Sequence, residues 1–338
     1  MKNFNLGHGI LHFPLKLPWS PPGFVNIYLI EDDDGYIMID CGVHGDEYFD
    51  DLKLNLNNLN IQLSDIKLLI GTHLHSDHVG LSTVLRNEGI KFGLYKNAPD
   101  FIPRYNDWTS RFKAIGEYAK KQGAPKEFLD DMNSITTPTT TGKITPPEIL
   151  FDEGKIKDID RDLQVIFTPG HDISEISILD TSSKIIFSGD HVLPRITPFI
   201  PLHDEDTDML SNYVNSLEKV NNIDHEKIAP GHFEVIDSPQ NRIEQILLHH
   251  EKRSKKIIGI LSNGALTGWE VTQSLFSRPL DSWNLRMAFQ ETMAHLKYIE
   301  SQGIIKQNGS KTIRKRFENG PNRSKNDSET AWIGGGFL

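Results

Sequence analysis

Three imidazoles and a carboxylate fall within six residues, at His73, His75, Asp77 and His78 of the run Thr72-His73-Leu74-His75-Ser76-Asp77-His78. Imidazole nitrogen and carboxylate oxygen together suit zinc, iron or manganese. In an extended stretch, positions two apart point the same way, so His73 and His75 can converge on one ion. The chain then turns into a helix, which aims Asp77 and His78 elsewhere, toward a second ion. Packing rarely demands such a cluster after a buried strand, so metal binding is the expected chemistry.

Three later residues share one context. His171 follows Thr168-Pro169-Gly170, Asp190 follows Ser188-Gly189, and His232 follows Pro230-Gly231. Each lies just beyond an apolar strand, in a glycine-containing turn that lets backbone approach a ligand. Any one of them alone is a turn residue; with the first cluster they make a set of seven.

That set resembles the metallo-β-lactamase superfamily, whose pattern is His-x-His-x-Asp-His, then a His, an Asp and a final His. The resemblance covers about residues 20–237, and through about residue 316 it is similar to the branch with an appended C-terminal winged helix. It implies an α+β fold, a four-layer αββα sandwich followed by a small winged-helix-like domain. It implies that His73, His75 and His171 hold one metal, that Asp77, His78 and His232 hold a second, and that Asp190 bridges them. Asp77 is also the residue expected to act in catalysis, and Asp40, ending a strand, is expected to orient the ligands.

Two divalent ions, zinc first with iron or manganese as alternatives, would sit about 3.5 Å apart and activate a shared water as hydroxide. Two carboxylates against four metal charges leave the site positive, which favours an anionic small-molecule substrate. A carbonyl substrate, a thioester or lactone, is the leading expectation. Alternatives are a phosphodiesterase or endoribonuclease acting on RNA, and a metal-binding regulatory protein.

Two departures from the pattern stand out. Many relatives place a second His four positions after the third motif, where this chain has Glu175. Zinc β-lactamases commonly have Cys where Asp190 stands, so antibiotic hydrolysis is not expected as the main role. His191, next to Asp190, should face the opposite way. His8, His12, His44, His249 and His250 show no ligand spacing.

The elements that must position these residues are legible in outline. Strands are expected at Phe24–Glu31 and Tyr36–Asp40 around an acidic turn, and at Ile66–Ile70 running into the histidine cluster. A helix is expected over Leu52–Leu63 and another over Asp77–Glu88, stopped by Gly89. Strands follow at Leu163–Phe167, Ile176–Leu179, Lys184–Phe187 and Lys227–Ala229, with a helix over Asp208–Val220. Between about 95 and 140 the strand rhythm breaks into helices, read as an insertion over the site. Its aromatics, Phe101, Tyr105, Trp108, Phe112 and Tyr118, look exposed and suggest an apolar acyl pocket.

From Ser238 the chain turns helical: Pro239–Leu261, Gly268–Leu275, Asn284–Gln302, then a basic strand over Lys311–Phe317. Three helices and a strand outline a winged helix over residues 238–318, after a catalytic part over 1–237 and before a tail over 319–338. Yet Asn284–Gln302 offers only Arg286 and Lys297 as cations, and its Leu285, Met287, Phe289, Met293, Leu296 and Ile299 suit packing better than a DNA groove. Sequence-specific DNA binding is therefore not expected, and a packing role or a homodimer contact is.

Composition bounds the rest. The 338 residues are 37% hydrophobic and 24% charged, with one cysteine, Cys41, so no intramolecular disulfide forms. No apolar run reaches membrane-spanning length and no signal segment is visible, so a cytoplasmic protein without a membrane partner is expected. Residues 240–338 carry a balance of +6 and residues 1–239 one of −16. The acidic part would repel a polyanion.

Overall fold

The computed structural model describes residues 4–314 apart from 263, 309 and 310. Its first sheet has seven strands in chain order: β1 (Phe4–Gly7), β2 (Ile10–Lys16), β3 (Phe24–Asp32), β4 (Gly35–Ile39), β5 (Ile66–Ile70), β6 (Lys91–Tyr95) and β7 (Ile149–Phe151). The first four run antiparallel, and β4 to β7 run parallel. The second sheet has the order β12-β11-β10-β9-β8, from β8 (Gly154–Lys155), β9 (Leu163–Phe167), β10 (Ile176–Asp180), β11 (Ile185–Gly189) and β12 (Lys227–Pro230).

Side-chain alternation decides how these sheets stack, because successive residues of a strand face opposite sides. In β3 to β5, Tyr28, Ile30, Ile37, Ile39, Leu68 and Ile70 face the second sheet. They meet Ile176, Ile178, Ile185 and Phe187 from the other side. The intervening Ile27, Leu29, Met38 and Leu69 face outward and are covered by α1 (Asp46–Asn58) and its neighbours. On the outer face of the second sheet, Ile166, Leu179, Ile186 and Ile228 pack under α7 (Met209–Asn221) and α8 (Pro239–Leu261). The layers are helix, sheet, sheet, helix, as the resemblance implies.

Several boundaries differ from expectation. The helix expected over Leu52–Leu63 is α1; it starts in an acidic first turn at Asp46 and Glu47. It stops before Asn60, whose φ of 59° is left-handed. The helix expected over Asp77–Glu88 is split into α2 (Ser76–Val79) and α3 (Ser82–Asn87). The break lies at Gly80, where a Cβ would come within 2.5 Å of His44 N, and Leu81 N–H donates to Gly42 O instead of continuing the helix.

The segment expected as a helical insertion forms α4 (Ala98–Asn106), α5 (Trp108–Lys121) and α6 (Lys126–Asn133). None of its five singled-out aromatics is exposed; Tyr105 and Phe112 are buried and the other three half-buried. Phe112 lies 6.4 Å from Trp283, and Tyr118 and Phe128 pack on Phe289, so much of this aromatic surface holds the insertion to the C-terminal helices.

After α8 the order is β13 (Leu266–Thr267), α9 (Gly268–Leu275), α10 (Ser282–Ser301), β14 (Ile305–Asn308) and β15 (Lys311–Arg314), the strands forming a small sheet β13-β15-β14. Phe289, Met293, Leu296 and Ile299 of α10 enter the same core as α5 to α8. Arg286 is ion-paired to Asp131 of α6. The cations Lys315 and Arg316 and the tail over 319–338 lie outside the described residues. Among the described residues no helix is long and apolar enough to cross a membrane, and Cys41 is free and buried.

Candidate metal centre

Topology gathers the seven residues at one edge. β9 and β11 each pair antiparallel with β10, and β12 runs parallel to β11, so β9, β11 and β12 all point the same way. His171, Asp190 and His232 follow their three ends. The first sheet contributes through β5, whose extension at Thr72 accepts a 2.9 Å hydrogen bond from Ile176 N at the start of β10. Two close approaches seal the edge: Gly231 N–H donates to Gly189 O at 2.7 Å, and a Cβ on Gly231 would lie 2.6 Å from His78 Cε1 and 2.8 Å from Asp190 Oδ1.

One group consists of His73, His75 and His171, with His75 Nδ1 3.0 Å from His73 Nε2 and 2.9 Å from His171 Nε2. The outer nitrogens show which ring positions carry protons. His171 Nδ1 lies 2.7 Å from Phe199 O, a carbonyl that can only accept. Thr72 Oγ1 donates its one hydrogen to Asp40, so it accepts from His73 Nδ1 at 3.0 Å. With Nδ1 as the donor in each ring, Nε2 is the position left for a lone pair in His73 and His171, and both Nε2 atoms face His75, an arrangement that suits a cation between them.

The second group is Asp77, His78 and His232. His78 Nδ1 donates to Asp40 at 2.7 Å and His232 Nδ1 to Phe24 O at 2.6 Å, aiming both Nε2 atoms inward. Asp190 lies between the groups. Its Oδ1 is 3.5 Å from both His78 Nε2 and His232 Nε2, and its Oδ2 is 3.6 Å from His171 Nε2. His78 Nε2 and Asp190 Oδ1 are buried without a hydrogen bond, orphaned polar atoms of the kind a metal ion would satisfy. The donor set and these orphans fit divalent ions.

Electrostatics separates the two halves. Burial, then the neighbouring imidazoles, push His73 well below the ordinary histidine range and His75 down to about 3. At His78 burial works downward, but Asp40, Asp190 and Asp77 outweigh it and raise the ring to about 9. Asp77 is raised by burial, yet His78 and His232 hold it at about 2, an anion. His75 and Asp77 are only half-buried while the other five are buried, so the centre opens to solvent on their side.

Some partners carried no signal in the spacing. Asp172 accepts from Tyr105 Oη and from Ser174, and Tyr105 lies 5.7 Å from the His75 ring. Glu175, in place of the second histidine, is fully buried and accepts from Asp190 N at 3.0 Å. His191 turns into the core, 5.2 Å from Tyr213. His250 meets Glu291 and His295 across α8 and α10 in a further group of possible metal donors. There Glu291 is already ion-paired to Arg253, whose charge opposes a cation.

The family model for the metallo-beta-lactamase superfamily matches residues 20–232, and the model for the metallo-beta-lactamase-like C-terminal domain matches 255–320. The chain is 27% identical over 290 residues to the probable metallo-hydrolase YqjP of Bacillus subtilis, covering 84% of this chain and 90% of that one. It is 26% identical over 288 residues to the beta-lactamase-like protein 2 homolog of Caenorhabditis elegans, covering 83% and 80%. Its fold superposes on a metallo-beta-lactamase family protein of Thermus thermophilus with a TM-score of 0.73 at 24% identity, over 92% of this chain and 100% of that one. A beta-lactamase domain protein of Burkholderia ambifaria gives a TM-score of 0.79 at 20% identity, over 93% and 94%. The chain belongs to the metallo-beta-lactamase superfamily and is a metal-binding hydrolase.

Proposed function

We propose that the protein holds two divalent ions, zinc first with iron or manganese as alternatives, and hydrolyses an acyl substrate of the thioester or lactone type. The observation that carries the two-ion reading is the placement of Asp190, with one oxygen toward each histidine group. His73, His75 and His171 would hold one ion and Asp77, His78 and His232 the other, with Asp190 shared. Such ions supply Lewis acidity and lower the pKa of water.

The chain's own residues do the rest. Asp40, Thr72, Phe199 O and Phe24 O fix four imidazoles with their bare nitrogens inward. Asp77, an anion at the open side, is placed to accept a hydrogen bond from an entering water and orient it. The carbonyl preference is supported by 28% identity over 128 residues, 34% of this chain and 38% of that one, to the atrochrysone carboxyl ACP thioesterase of Aspergillus fumigatus. The acidic balance of residues 1–239 disfavours a polyanion.

Residues 1–237 form the catalytic part in this reading, and 238–318 a winged-helix-like part supported by its order of helix, strand, helix, helix, two strands. That part packs rather than reads DNA, because the apolar face of α10 is buried and Arg286 is taken by Asp131. A homodimer and a cytoplasmic setting, with Cys41 reduced, complete the reading.

The test is a panel of acyl thioesters, lactones, phosphodiesters and short RNAs on metal-loaded enzyme. Carbonyl substrates are expected to lead. RNA cleavage at a higher kcat/KM than any thioester or lactone, abolished by His75→Ala, would reverse the assignment.

A further inference from the structure

The acidic half of the chain neutralises many of its cations. Arg86 pairs with Glu148, Lys96 with Asp152, Arg161 with Asp180, and Arg195 with Glu234. Two arginines beside the metal centre are exceptions. Arg104 on α4 and Arg111 on α5 are both half-buried, and among the described residues neither guanidinium donates a hydrogen bond or forms an ion pair. Arg111 Nε is buried with no acceptor at all. Leaving a buried guanidinium N–H unsatisfied is costly, because that N–H has lost water without gaining an acceptor.

The carboxylates nearby accept from other donors and from neither guanidinium. Asp172 already accepts from Tyr105 Oη, Ser174 N and Ser174 Oγ. Asp204 accepts from Asp206 N, Thr207 N and Thr207 Oγ1. The two arginines also face each other electrostatically: burial, then the charge of Arg111, lowers Arg104 from the ordinary arginine value. Two guanidinium groups that act on each other, neither of them hydrogen-bonded to a carboxylate among the described residues, form a receptor for an anion.

Position relates this receptor to the reaction. The Arg111 guanidinium lies 4.9 Å from the centre of the Tyr105 ring, and the same ring lies 5.7 Å from His75. His75 is one of the two half-buried donors on the open side of the centre. A substrate entering there meets the arginines and the donor set together.

We infer that Arg104 and Arg111 form a subsite for an oxyanion, a carboxylate or phosphate, carried by the substrate whose acyl bond lies at the metal centre. The inference rests on the proposed acyl hydrolysis and names its substrate class: an anionic thioester or lactone, not a neutral one. The planar forks suit bidentate capture of either oxyanion. The carboxylate would sit on the acyl group, the phosphate on the leaving thiol.

The experiment compares a glutaryl thioester of pantetheine, acetyl phosphopantetheine and acetyl pantetheine, on wild type and on the Arg104→Gln/Arg111→Gln variant. Wild type is expected to favour one anionic substrate over the neutral one by about tenfold to a hundredfold in kcat/KM, through KM, as charged hydrogen bonds allow. Which anionic substrate leads identifies the source of the oxyanion. The variant should bring that ratio close to one; an unchanged ratio would overturn the subsite. Binding of inorganic phosphate by calorimetry reads the subsite without any hydrolysis. Its affinity should fall about tenfold or more in the double variant and less in Arg111→Lys, which keeps the charge. If no thioester is cleaved but phosphate binding still depends on the arginines, the subsite stands and the acyl assignment falls. Equal phosphate affinity in wild type and double variant sinks the subsite alone.

Discussion

Asp40 contributes no donor atom to the candidate ligand set, yet it sets the direction of two rings. It sits at a φ of 61°, a conformation in which only Asn and Asp are at all common among side-chain-bearing residues. Held there, its carboxylate accepts from Thr72 N at 2.9 Å, from Thr72 Oγ1 and from His78 Nδ1. Replacing it with Asn puts an amide N–H₂ within reach of His78 Nδ1. The ring can then satisfy itself only by moving its proton to Nε2, where a metal would need the lone pair. Asp40→Asn should therefore lower metal affinity by about tenfold to a hundredfold. Elemental analysis should return two equivalents from wild type and fewer from the variant; two equivalents retained against a competing chelator would show that Asp40 does not orient the site.

At the scale of elements, the second sheet depends on an ion pair remote from the metal centre. Arg161, just before β9, donates from Nε to Asp180 Oδ1 at 3.1 Å and from Nη2 to Oδ2, closing the far end of the β10–β11 hairpin. Burial raises the Asp180 carboxyl, but Arg161, Ser183 and Ser182 outweigh that and hold it below the usual value. A folded-state pKa below the unfolded one gives stability that is full above about pH 4 and fades as pH falls through the folded value. Asp180→Asn should cost about 3 kcal/mol at pH 7, as breaking a buried pair does. In urea titrations the gap between wild type and variant should narrow toward pH 3. A gap of constant size would mean that Asp180 acts by packing alone.

The molecule as a whole does not divide its cores where its sequence changes character. One continuous apolar cluster joins Ile166 and Ile186 of the second sheet, Phe112 and Phe128 of the insertion, and Ile246, Phe289 and Ile299 of the C-terminal helices. The outer helix layer over β9 to β12 is thus shared by α7 and the C-terminal part. A chain ending at residue 237 would expose that cluster and should be recovered as aggregate, or with a melting temperature lowered by ten degrees or more on the order-of-magnitude scale of lost core burial. A monodisperse, metal-loaded fragment with unchanged stability would show two independent cores.

The sequence by itself singled out the seven candidate donors that the fold brings together, and most of the strands that lead to them. Metal chemistry restricts residue types tightly, and strands buried on both faces, such as Phe24–Asp32 and Ile176–Asp180, write themselves as short, largely apolar runs. It left unread what depends on partners distant in the chain. The short strands β7 and β8 have too few residues to show a period. The break between α2 and α3 follows from Gly80 lying against His44, and the aromatics of α5 look exposed until the C-terminal helices cover them, while Phe101 and Tyr105 of α4 pack in the cluster of the first sheet. The arginine pair is the clearest case. Arg104 and Arg111 look like two solvated helix charges until tertiary packing turns Asp172 and Asp204 to other donors and leaves neither guanidinium hydrogen-bonded beside the metal centre, because whether a charge is paired depends on neighbours that only the fold assembles.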